Sequence, residues 1–406
     1  MSRDLRLKLT LLCSVYLVWG AIASLNDLLI PYLKQEFGLT FSGAMRVQLV
    51  FYAAYFFLSV PFGLFLRRVG FRNGILTGLG GALVGCLLMA AASRAGSYGL
   101  ILAAVFVIAS GITLLQVSAN PYATSLGAER TAPSRLTLVQ SFHSLGTTIG
   151  PWFGAVLLFA VAWTSFTDGD TPGQAIAQPY LILALVLGLL AIFFWRTETG
   201  GHQNITAPSG SIVNLVRAHP QLLYSTLAIF CYVGAEIAIA SFLVNYLVMP
   251  GILGLEHATA GKLVSVYWGC ALAGRFAGIF LLRIFPPRRM LVFYACAASM
   301  LVAASLASSG LTAAASLLLI GVFNSIMFPT IFALTINRFP DDSSAVSGLL
   351  CLGIVGGAVI SQLQGLLADS IGLQASFILP LACYLYIVFF SLRLLNKISG
   401  TNTVTQ

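Results

Sequence analysis

Apolar residues run along this chain in blocks of about twenty, separated by short polar clusters rich in arginine, glycine and proline. Wound as a helix at about 1.5 Å rise per residue, such a block matches the hydrocarbon thickness of a bilayer. Hydrocarbon cannot satisfy backbone N–H and C=O groups, so each block must bond internally. A closed barrel would instead show alternating strands of about ten residues, a pattern foreign to the long Leu/Ala/Val/Phe runs. The blocks predict twelve transmembrane helices, over residues 11–33, 44–66, 73–92, 99–124, 136–161, 179–196, 221–247, 259–283, 290–309, 311–335, 344–367 and 375–394. The expected fold class is an all-α membrane protein.

Length alone, at 406 residues, would suit two or three soluble domains. A chain that is 58% hydrophobic and 8% charged, with a mean hydropathy of +0.94, overrides that prior. Charge adds an orientation. Sixteen of the 21 basic residues fall in alternate loops or at the termini; Lys34, Arg46, Arg94 and Lys262 fall on the other side, and Arg275 lies within the eighth span. The split puts both termini in the cytoplasm and accounts for the net charge of +9 without a nucleic-acid partner. Arg3, Arg6 and Lys8 ahead of an apolar run imitate a signal peptide, but the run resumes at once as LLIPYL. The seven cysteines lie within spans at wide spacing and read as packing residues, not as a disulfide or metal framework.

The longest polar interruption, about residues 197–220, divides the spans six and six. It predicts an N-terminal bundle over 1–196, a cytoplasmic linker over 197–220 and a C-terminal bundle over 221–406. VWGAIASLNDLLIPYL in the first span can be laid over YVGAEIAIASFLVNYL in the seventh, matching Gly20 with Gly234. Pro121 in the fourth span matches Pro329 in the tenth, which sets Gln116 opposite Asn324. Two pseudo-symmetric six-helix bundles are a recurring plan of secondary transporters, with the substrate held near the midplane. Gly146, Gly150 and Gly154, and likewise Gly274 and Gly278, repeat at four-residue intervals, as close helix approach requires.

Against this apolar ground, two carboxylates stand out, Asp27 in the first span and Glu236 in the seventh. A charge at the bilayer centre costs about 2.5–3.5 kcal/mol on insertion scales, so each should face a polar cavity or a partner. Desolvation penalises the ionised carboxyl, which makes a protonation cycle accessible and fits Asp27 to cation coupling; a structural pair is the alternative, and Na⁺ held with amide oxygens a third. Glu236 is open between coupling, a ligand hydroxyl and an ion pair with Arg275. Neutral amides suit sugars because each offers donors and acceptors together. Candidate substrate-binding residues are therefore Asn26, Gln116, Asn120, Gln140, His143, Glu236, Trp268, Asn324 and Gln362. A single intramembrane amide is often only helix glue, and Trp268 is as readily an interfacial anchor as a sugar platform.

Enzyme signatures are missing from the sequence. Gly261-Lys262 has the wrong spacing for a nucleotide-binding loop, and neither HExxH nor GxSxG occurs.

The runs SLNDLLIPYL, LLQVSANPYATSLG, SRLTLVQSFHSLGTTIGPWFG, YVGAEIAIASFLVNYL, GRFAG and NSIMFPTIFALTI resemble the fucose permease family of the major facilitator superfamily, and look most like its glucose/galactose transporter branch. The resemblance spans nearly the whole chain. It implies the major facilitator fold in a multi-pass bacterial cytoplasmic membrane protein, with import of a neutral sugar by alternating access. It also implies that the acid of the asparagine–aspartate pair, Asp27, is the protonation site. Fucose permeases carry a glutamate where this chain has Gln116, and an asparagine where it has His143; the first departure points away from fucose and towards the glucose/galactose branch. The expectation is a monomeric sugar:H⁺ symporter in the lipid bilayer, with no cofactor and no resident metal, and with Na⁺ as the alternative coupling ion. The rival readings are an efflux carrier of the same fold and a non-transporting membrane sensor.

Overall fold

The computed structural model describes residues 3–39, 41–165, 172–197 and 212–399, and within these it leaves out some side chains, among them those of Asn26, Asp27 and residues 151–165. The regular structure it describes is helical throughout. The helices are α1 (Arg3–Glu36), α2 (Phe41–Arg94), α3 (Tyr98–Ser125), α4 (Ala132–Ser165), α5 (Pro172–Arg196), α6 (Ile212–Ala218), α7 (Gln221–Val248), α8 (His257–Ile284), α9 (Pro287–Ala307), α10 (Gly310–Asn324), α11 (Met327–Ile336), α12 (Ser343–Leu352), α13 (Gly356–Ile371), α14 (Leu373–Ser376) and α15 (Ile378–Ser399). Among the described residues, ten helical stretches are long and apolar enough to cross a membrane.

The elements depart from the expected spans where backbone chemistry intervenes. The second and third spans lie in the 54 residues of α2, and the loop expected between them shrinks to a break at Gly70, whose φ of 79° is open to glycine and costly for other residues. Arg72, just past the break, donates from Nη2 to the carbonyl of Trp195 at 2.8 Å and so caps the end of α5. The tenth span is split into α10 and α11 at Ser325 and Ile326. Pro329 is the cause: it has no N–H to return to the carbonyl four residues earlier, which is that of Ser325. The eleventh span is likewise divided by a tight turn over Gly353–Val355. Pro287 in the first turn of α9 sits where a missing N–H is harmless.

The chain forms two compact units, Met1–Ala123 with Phe142–Pro208, and Thr124–Ser141 with Ser209–Gln406. Within the first, the backbones of α1 and α4 approach so closely that a Cβ on Gly20 would collide with the carbonyl of His143, and one on Gly146 with that of Leu17. Gly150 packs in the same way on Ser24, while Gly154 falls outside the described side chains. In the second unit Gly234, the residue matched to Gly20, seats α7 against Gly356 and Ile360 of α13. The repeated glycine therefore performs the same task in each half. Gly274 and Gly278 bring α8 onto α10 and the Ser325–Ile326 break.

The segment Thr124–Ser141 is tied into the second unit by hydrogen bonds. Ser134 Oγ donates to the carbonyl of Ile279 at 2.7 Å, and Arg283 Nε donates to Ser134 Oγ at 3.2 Å. Arg135 donates to the carbonyl of Thr124, in the last turn of α3, and to that of Ala128 just beyond it.

Candidate functional site

Each unit holds a buried polar cluster in its apolar interior, and tyrosines organise both. In the first unit the amides of Gln116 and Asn120 lie one turn apart on α3, and both are buried. Tyr55 of α2 donates to Gln116 Oε1 at 2.9 Å. Tyr16 of α1 donates to Asn120 Oδ1. Trp19 stands beside Tyr16 with ring centroids 5.1 Å apart, and meets the imidazole of His143 edge-on at 4.7 Å. Three of the residues expected at a site, Gln116, Asn120 and His143, thus lie on α3 and α4, while Asn26 and Asp27 of α1 fall outside the described side chains. Gln140 is buried on α4, three residues before His143, and belongs to the stretch that groups with the second unit.

The second cluster centres on Asn324, at the C-terminal end of α10. Asn324 Nδ2 donates to the hydroxyl of Tyr267 at 2.8 Å, and the hydroxyl of Tyr384 donates to Asn324 Oδ1 at 2.7 Å. Tyr267 in turn donates to the backbone carbonyl of Glu236 at 3.2 Å. One buried amide therefore ties α8, α10 and α15 together and, through Tyr267, reaches α7. Trp268 packs edge-on against Tyr267 at 5.2 Å and is half-buried.

Glu236 faces Arg275 of α8, with Oε1 and Nη2 3.7 Å apart and only 9% and 10% of the respective side chains exposed. Of the three readings open for Glu236, the structure realises the ion pair. Arg275 has a second partner, because its Nε points at the carbonyl of Ser325 at 3.4 Å, the oxygen that Pro329 leaves without a helical donor. The pair is not saturated: Glu236 Oε1 lacks a hydrogen bond, as does the buried hydroxyl of Tyr232 one turn earlier on α7. A buried carboxylate oxygen and a phenol that lack a well-formed hydrogen bond are groups that a water or a ligand hydroxyl would satisfy.

The eleventh span differs from expectation. Gln362 is exposed on α13, whereas Gln364 is buried, with Nε2 3.4 Å from Ser376 Oγ. Two residues along a helix turn the side chain by about 200°, and an apolar context gives no means of choosing the phase. The sequence patterns do not single out Tyr16, Tyr55 and Tyr384 as partners of the amides. Their sequence signal is position: an interfacial anchor belongs near a span end, and a tyrosine well inside a span must find a partner for its hydroxyl. Among the described residues no group of His, Cys, Asp and Glu is placed to hold a metal ion.

The two clusters obey one plan. Gln116 and Asn324 occupy matched positions in the internal repeat, and each is held by a tyrosine from the neighbouring span, Tyr55 in one case and Tyr267 in the other. Among the described side chains, a carboxylate–guanidinium pair adjoins the second cluster and a tryptophan–histidine contact the first.

Residues 12–361 match the family model of the Major Facilitator Superfamily. The chain is 43% identical over 385 residues to a glucose/galactose transporter of Brucella abortus biovar 1 (strain 9-941), covering 95% of this chain and 93% of that one. It is 32% identical over 411 residues to the L-fucose-proton symporter of Escherichia coli (strain K12), covering 96% and 93%. Its fold superposes on the crystal structure of FucP in the outward conformation with a TM-score of 0.85 at 30% identity, over 96% of this chain and 99% of that one. The matched proteins are membrane transporters and not enzymes, and the chain belongs to the major facilitator superfamily, in the group that contains these glucose/galactose transporters and fucose-proton symporters.

Proposed function

We propose that this protein imports a neutral hexose of the glucose/galactose class by proton symport, through alternating access. In this reading twelve spans form two six-helix bundles joined by the 197–220 linker, both termini are cytoplasmic, and a monomer works in the bacterial cytoplasmic membrane. The observation that carries it is the 43% identity over nearly the whole chain to a protein named as a glucose/galactose transporter. Two local features support the choice. Gln116 is an uncharged amide held by Tyr55, suited to a neutral polyol, and the first span carries the Asn26-Asp27 pair.

Asp27 takes the proton, and the residues that hold the sugar are drawn from Gln116, Asn120, Gln140, His143 and Trp268, with Asn26 next to the acid in sequence. Glu236 contributes through its unsaturated oxygen, and Asn324 positions Tyr267 and Tyr384 around it. Coupling follows if proton and sugar together favour a state that neither favours alone. The test uses proteoliposomes and a panel of hexoses. Wild type should accumulate glucose or galactose against a gradient under an inward proton gradient and not under a sodium gradient. Asp27→Asn should lose accumulation yet retain counterflow; undiminished uphill uptake by that variant would remove the coupling role, and failure of every hexose in counterflow would remove the substrate class.

A further inference from the structure

The arginine-rich end of the second unit holds a cavity that sugar transport does not use. It measures about 260 Å³ and lies where the start of α7 meets the end of α15, lined by Gln221, Tyr224, Arg338, Tyr386, Phe389 and Arg393 among others. No carboxylate is among its lining residues. The guanidinium of Arg393 rests over aromatic faces, 4.6 Å from the Phe389 ring centroid and 5.6 Å from that of Tyr224. Arg338 lies in the same wall, and Arg288 is close enough that burial and its like charge both push the Arg338 pKa down. Arg288 itself has a buried Nη1 with no hydrogen-bond partner. Two guanidiniums thus stand in a pocket wall that holds no carboxylate, with Arg288 near one of them, an arrangement favourable around a bound anion.

The surroundings say which anion. On α15, Leu385, Phe389 and Leu392 are 53%, 46% and 44% exposed, and on α7 Leu223 and Leu227 are 51% and 43% exposed. In a membrane protein these surfaces are bathed by acyl chains. The cavity falls just under the range of about 300–1,000 Å³ usual for enclosed organic ligands, which suits a headgroup whose chains remain outside. We propose that this pocket binds the phosphodiester headgroup of an anionic phospholipid, with Arg338 and Arg393 as its counter-charges and the acyl chains lying along the exposed apolar flanks of α7 and α15. Guanidinium forks pair with phosphate oxygens in two-pronged fashion, and basic pockets between membrane helices are the setting in which such lipids are recognised.

The test is native mass spectrometry and thermal-shift titration of the full chain in neutral detergent, using phosphatidylglycerol, phosphatidylcholine and sn-glycerol 3-phosphate as separate probes. Phosphatidylglycerol should be retained and should raise Tm, while phosphatidylcholine and the soluble phosphate should do neither. Arg338→Gln with Arg393→Gln should weaken phosphatidylglycerol binding by about tenfold per arginine removed. Arg67→Gln with Arg68→Gln, which removes two cations outside the pocket, should leave it unchanged. If the double pocket variant fails to fold, Arg393→Gln alone decides, since that side chain is exposed. The proposal is overturned if pocket variants bind phosphatidylglycerol as wild type does, if the Arg67/Arg68 control loses as much, or if soluble phosphate stabilises equally well.

Discussion

Glu236 and Arg275 face each other across α7 and α8 at 3.7 Å, close enough to share charge and too far apart to share a proton. The guanidinium is held from its other side by the carbonyl of Ser325, which is free only because Pro329 interrupts the tenth span. The acid, the arginine and the helix break therefore form one connected unit, and each member gives a reason for the others.

Removing one partner of that pair should cost far more than removing both. Arg275→Gln strands a buried carboxylate and should destabilise the protein by about 3–5 kcal/mol, whereas Arg275→Gln combined with Glu236→Gln should recover most of the loss. Thermal unfolding in detergent reads both variants; equal Tm values for the single and double changes would rule out the pairing.

Asn324 makes a different prediction, because its amide is shared by two phenols. Asn324→Ala strands the Tyr384 hydroxyl, at about 1–3 kcal/mol, and takes one donor from Tyr267, whose bond to the Glu236 carbonyl remains, at about 1 kcal/mol more. Tyr384→Phe leaves one buried acceptor, Asn324 Oδ1, without this donor while the Tyr267 bond stays, and should cost less than Asn324→Ala, about 1–2 kcal/mol. A Tyr384→Phe variant as damaged as Asn324→Ala would mean that the network contributes by packing alone.

The glycines offer a packing test within the first unit. A Cβ at Gly146 would strike the carbonyl of Leu17, while one at Gly80 meets no atom within 4 Å. Gly146→Val should abolish folded protein and Gly80→Ala should be silent in yield and Tm. Normal expression of Gly146→Val would refute the close α1–α4 approach.

Gln116→Glu should add a pH dependence on top of the wild type's own. A protonated carboxyl keeps the carbonyl that accepts from Tyr55, so uptake should approach wild type at acid pH. Ionisation puts an unpaired charge into a buried site, so activity should fall as pH rises through the new group's pKa. The ratio of variant to wild-type uptake between pH 5 and 8 checks this, and a flat ratio would count against a buried, sugar-facing Gln116.

The amino-acid sequence was sufficient for the all-helical membrane class and the family, because block length and residue runs are properties of the chain read locally. Helix phase and partnership were decided only in three dimensions. In spans that are apolar on every side, hydropathy does not reveal that Gln364 and not Gln362 is buried. Nor does it reveal that Gln116 is met by a tyrosine 61 positions away and Asn324 by one 57 positions away. A buried amide must have a partner, so its presence announces a bond; which residue supplies that bond depends on how helices distant in sequence pack, and packing is a property of the folded chain.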